Sequence, residues 1–150
     1  MRQLFRFIPL ALLALLTACD THTSDNGVLD GFWQMHTVDT LGAGSADMRS
    51  EKIFWAVQAD LLEMVQLKGN ITNANRHKDM VFRFQLTGDE LRVSNPVWKA
   101  RSISDDIITD VEDVRPYGLS DLNQTFRVEQ LNSSDMTLLT DRLRLHFRKY

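Results

Sequence analysis

The run Met80-Val81-Phe82-Arg83-Phe84-Gln85-Leu86 places Met80, Phe82, Phe84 and Leu86 on one side of an extended chain and Val81, Arg83 and Gln85 on the other. Side chains of a strand point to opposite faces with a period of two, so this run is a strand with one buried face. Thr87-Gly88-Asp89-Glu90 follows as a tight turn, and Leu91-Arg92-Val93-Ser94 runs back. Strands joined by so short a turn are antiparallel, because a parallel pair needs a long crossover. The chain closes in the same way. Phe126–Leu131 and Met136–Thr140 flank the turn Asn132-Ser133-Ser134-Asp135, and Asp141-Arg142 leads into a last run with Leu143, Leu145 and Phe147 on one face.

The earlier segments extend this pattern. Leu29-Asp30-Gly31-Phe32-Trp33-Gln34-Met35-His36-Thr37-Val38 gives an opening strand over roughly residues 30–38, and the Gly-rich stretch 39–45 is a loop. Lys52–Gln58 and Leu61–Leu67 form a hairpin through Ala59-Asp60, and Asn70–Asp79 is a polar loop. Asn95-Pro96 ends the strand that starts at Leu91. Ser104 is placed to cap a short helix over Asp105–Val114, with Ile107, Ile108, Val111 and Val114 at helical spacing and acids in its first turn. The prediction is a mainly β domain over residues 29–150. About eight strands form an antiparallel up-and-down meander that closes into a barrel, with one short helix before the final strands. Eight strands leave an interior that is either filled by side chains or holds one small ligand.

Residues 1–18 are an address. Arg2 and Arg6 precede an apolar run from Phe7 to Leu16, too short to span a bilayer but of signal-peptide length. It ends in Leu16-Thr17-Ala18-Cys19, which resembles the lipobox of bacterial lipoproteins and implies acylation of Cys19 and a membrane anchor in the cell envelope. Cys19 is the only cysteine, so the chain has no intramolecular disulfide and no thiol chemistry to spare. Residues 19–28 read as a flexible tether. Setting aside Arg2 and Arg6 leaves 15 Lys and Arg against 20 Asp and Glu. An acidic domain of this size is a poor nucleic-acid binder, since phosphate contacts need a basic face.

Few residues suggest chemistry. His36, His77 and His146 sit on separate segments without the close spacing of zinc ligands, and the acids at Asp105, Asp106, Asp110, Glu112 and Asp113 lack a Gly-centred calcium loop. Nucleophile-elbow, phosphate-loop and dinucleotide fingerprints are missing, so neither an enzyme nor a cofactor is expected. Trp55, Met64, Phe82, Phe84 and Phe126 either line an apolar pocket for a small hydrophobic or amphipathic ligand or fill a solid core. Arg142, Arg144, His146, Arg148 and Lys149 make the last strand cationic.

Leu29-Asp30-Gly31-Phe32-Trp33, Arg115-Pro116-Tyr117-Gly118 and the closing strands 126–131 and 136–150 together resemble the lipocalin superfamily, and more closely the lipocalin-like lipoproteins of Bacteroidota. The resemblance implies that Gly31 and Trp33 sit at the closed end of the barrel with a last-strand arginine, Arg144 or Arg148, packed over the indole. The chain departs from the superfamily in lacking a clear Thr-Asp-Tyr signature and in placing its helix before the final strands. The expected function is an anchored, non-enzymatic barrel that binds a small apolar molecule. The alternative is a solid-core barrel that engages an envelope protein through its loops.

Overall fold

The computed structural model describes residues 24–68, 79–99 and 106–150. The leader, Cys19, His77 and the Ser104 cap lie outside the described residues. Among the described residues there are nine strands: β1 (Gly31–Thr40), β2 (Gly44–Asp47), β3 (Ile53–Gln58), β4 (Leu61–Gln66), β5 (Met80–Thr87), β6 (Glu90–Trp98), β7 (Gln124–Leu131), β8 (Asp135–Leu139) and β9 (Leu143–Lys149). Every pairing is antiparallel. Strands β1 and β3–β9 follow one another in order, and β9 returns to β1, with Trp33 opposite Lys149 and Thr40 opposite Leu143. This is a closed eight-stranded meander, and closure removes the free edges of those strands.

β1 is long enough to serve three neighbours. Residues 31–34 pair with β3, residues 37–40 pair with β2, and its other edge pairs with β9. A bulge between Met35 and Thr37 shifts the register by one residue. Such a shift inverts which side chains face inward. Val38 therefore joins Trp33 and Met35 against the core.

Three segments differ from the sequence expectation. Of the expected loop 39–45, Asp39 and Thr40 extend β1, and Gly44 and Ser45 begin β2, which pairs with β1 as an outlying flap whose four residues are all exposed. Strand β6 does not end at Asn95-Pro96. Asn95 takes a left-handed φ of 55°, the β5–β6 register shifts between Val81 and Arg83, and the strand continues to Trp98. Pro96 lacks an N–H, but its carbonyl still accepts from the Ile108 amide at 3.0 Å. The short helix before the final strands is present as two successive 3-10 turns, Val111–Asp113 and Arg115–Tyr117. Ile107 is instead extended and bridges to Val97, where its β-branched side chain is better suited.

Candidate functional site

The hairpin turns sort the barrel into two ends. Ala59-Asp60, Gly88-Asp89 and Asn132–Ser134 lie at the end where β1 begins and β9 finishes. The turn after β1, the exits of β4 and β6 and the 107–119 segment lie at the other.

Among the described residues, the inward-facing side chains between these ends are closely packed. Trp55, Met64, Phe82 and Phe126 each have 0 % exposure, so no void as large as a water molecule touches them. Trp55 meets Phe126 edge-on at 5.7 Å between centroids and Phe147 at 4.8 Å. Of the five residues nominated as a ligand lining, Phe84 is the partly exposed one. It opens onto a surface cleft of about 310 Å³ at the closed end with Asn26, Ala59 and Leu86.

The open end is stoppered by the chain itself, a feature the sequence reading missed. Val114, Tyr117 and Leu119 are buried in the same core as the strand residues. The Trp55 indole donates to the Tyr117 carbonyl at 3.2 Å. Gly118, at φ +91°, sits so close that a Cβ there would lie 2.8 Å from Leu145 Cδ1 and 3.1 Å from Met35 Cε. Burial, with Asp79 adding to it, pushes the Tyr117 phenol well above its ordinary value. In Arg115-Pro116-Tyr117-Gly118, the left-handed glycine after a large aromatic is the local signal for a turn pressed against packed side chains.

The closed end is built around Trp33, fully buried, whose indole donates to the Leu29 carbonyl at 2.7 Å. The cation over the ring is Lys149, its ammonium 4.8 Å from the centroid. This corrects the expectation that Arg144 or Arg148 fills the role. Leu143, Leu145 and Phe147 face inward, so position 149 shares their side while 144 and 148 point out. Arg144 bonds Glu129 at 2.7 Å and holds that carboxyl below its usual range, and Arg148 is exposed. Gly31, at φ +128°, is where the Lys149 chain crosses: a Cβ would fall 2.6 Å from Lys149 Cε. Lys149 also donates to the Val28 carbonyl at 2.8 Å.

On the outer wall, His146 Nε2 lies 2.8 Å from Asp39 Oδ2, and Ser45 donates to Asp39 Oδ1 at 2.6 Å, tying the β2 flap to β1 and β9. The Ser45 bond first, then His146, holds the Asp39 carboxyl below its ordinary value. His36 is held below its ordinary value by burial and then by Arg49 and Arg148.

The model of the lipocalin-like domain family matches residues 14–150. The chain belongs to this lipocalin-like family. A lipocalin-like protein from Bacteroides uniformis has a similar fold, with a TM-score of 0.61 and 20% identity over 83% of this chain and 100% of that one. An uncharacterized protein from Bacteroides eggerthii is similar at a TM-score of 0.58 and 19% identity, over 81% of this chain and 98% of that one. No curated protein matches. Lipocalin-like barrels as a class either hold a small ligand or are filled by side chains.

Proposed function

We propose that this lipocalin-like protein is an envelope lipoprotein, anchored through acylated Cys19, that works through its outer surface and open-end loops by engaging an envelope partner, without catalysis or a cofactor. The observation that carries this reading is the packing of the described interior: Trp55, Met64, Phe82 and Phe126 are fully buried against one another and the core, and Val114, Tyr117 and Leu119 join that core from the mouth. Leu41, Leu67 and Ile107 stand exposed around the open rim, Ile107 at 73 %, and supply apolar contact area for a protein. The lipobox-like Leu16-Thr17-Ala18-Cys19 supports the anchor.

A second reading, binding of a small hydrophobic or amphipathic ligand inside the barrel, is favoured by the make-up of the stopper. It consists of two single 3-10 turns and a glycine, not a strand of the sheet. Withdrawing Val114, Tyr117 and Leu119 costs about 5–9 kcal/mol at roughly 1.5–3 kcal/mol per buried side chain. A ligand replacing them has to bury roughly 200–350 Å² of apolar surface to break even at about 25 cal/mol per Å².

Native mass spectrometry of the membrane-extracted protein tests both parts. The expected species begins at Cys19, carries acyl mass and holds no further small molecule. An unmodified Cys19 contradicts the anchor, and a stoichiometric apolar ligand contradicts the solid barrel in favour of the second reading.

A further inference from the structure

We infer that the closed end of the barrel, with the adjoining outer wall of β1 and β3, rests on the lipid surface itself. The inference rests on the anchoring of Cys19 proposed above and adds to it an orientation and a contact surface. The described chain begins at Ser24, and it begins bonded. Ser24 donates to Asp30 at 2.9 Å, and Asn26 donates to Asp30 at 2.8 Å and to the Ala59 carbonyl in the β3–β4 turn at 2.6 Å. Residues 24–30 are thus tied to the closed end. Only residues 20–23 separate Cys19 from Ser24. Five Cα steps of at most about 3.6 Å keep Ser24 within roughly 18 Å of an acylated Cys19. The open end stands away from it by the length of the ten-residue β1, about 30 Å at roughly 3.3 Å per residue.

What the closed end presents suits that position. The exposed large apolar residues among those described divide between the two ends, and Val28, Leu61 and Tyr150 are the ones at the closed end. Tyr150 is 84 % exposed. Its ring meets Phe54 edge-on at 5.6 Å and Phe32 at 6.4 Å, and Phe32 stacks on Phe54 at 4.4 Å. A shallow, mainly apolar groove of about 440 Å³ beside Ser24, lined by Gly31, Phe32, Ala56 and Val57, continues this surface. Tyrosine is suited to a bilayer interface because its ring is apolar and its hydroxyl remains wet. Of the nearby cations, Arg83 is paired with Asp60 and Lys149 with the Val28 carbonyl, while Arg148, opposite Gln34 on β1, is exposed. The contact is therefore aromatic and apolar with an exposed arginine beside it, which suits the phosphates of zwitterionic lipid.

Full-length lipoprotein reconstituted into phosphatidylcholine–phosphatidylethanolamine vesicles tests this. With Cys19 acylated, a cysteine introduced by Tyr150→Cys, Leu61→Cys or Leu41→Cys is the sole free thiol for a nitroxide label. Collisions with oxygen, which concentrates in lipid, are compared with collisions with a water-soluble nickel chelate. Labels at 150 and 61 are expected to meet the chelate several-fold less often than the label at 41. Equal accessibility at all three positions in protein that floats with the vesicles overturns the docking and leaves the anchor standing. Protein that fails to float takes both down.

Discussion

The Lys149 ammonium lies over the Trp33 indole at 4.8 Å and donates to the Val28 carbonyl at 2.8 Å, closing one end of the barrel with its last inward-facing side chain. Its aliphatic stem crosses Gly31 on the way. One side chain thus joins the last strand, the first strand and the turn that precedes it. A cation over a ring is worth about 0.5–1 kcal/mol at a partly exposed site, and its bond to a carbonyl adds to that. Lys149→Met is expected to destabilise the domain by about 1–2 kcal/mol in urea unfolding. Arg144→Met, which loses a solvent-screened surface pair with Glu129, is expected to cost less than Lys149→Met. The reverse order would return the role to an arginine.

Gly118→Ala tests the stopper. The new methyl meets Leu145 and Met35 inside ordinary contact distance, and the backbone is held at φ +91°. Overpacking and left-handed strain together cost about 2–4 kcal/mol. Gly42→Ala shares a positive φ of 81° but opens onto empty space, so about 1 kcal/mol of strain is expected there. Equal unfolding midpoints for the two variants would mean that Gly118 is not pressed against the core.

Acid should weaken the fold in two stages. His36 has a folded value below its ordinary 6.5. The unfolded chain therefore takes up this proton first, and stability, full above that value, falls as pH drops through the folded one. Asp39 is likewise held below its ordinary 3.8. Its contribution is present above that value and disappears as pH falls through the folded one. In unfolding curves taken from pH 7.5 to 3, His36→Gln is expected to flatten the first decline and Asp39→Asn the second. Unchanged slopes would show that neither group is perturbed by its neighbours.

The barrel was legible because the strands that build it bury one face. Met80–Leu86 and Leu143–Phe147 carry the period of two in plain view, and their short turns leave antiparallel pairing as the only option. The β2 flap was not legible: Gly44-Ser45-Ala46-Asp47 has no buried face and so no alternation to detect. The identity of the Trp33 partner could have been read by carrying the inward series Leu143, Leu145 and Phe147 one step further to Lys149. The stopper was the hardest part. Residues 107–119 form a bridge and two 3-10 turns whose buried side chains follow the shape of the barrel mouth and no helical or strand period. Whether Trp55, Phe82 and Phe126 surround a space or fill it depends on that segment, so alternation could not decide between pocket and core.

Hydrogen exchange at the Trp55 indole Nε1–H, followed by NMR, tests the solid barrel most directly, because this proton is bonded to the Tyr117 carbonyl where the stopper meets the core. If the interior is permanently filled, the indole exchanges only on global unfolding, with the same opening free energy as the backbone amides of β3 and β9, and added apolar compounds leave it unchanged. Exchange orders of magnitude faster than those amides, or exchange that responds to an apolar compound, would show that the 107–119 segment opens by itself and that the barrel admits a ligand.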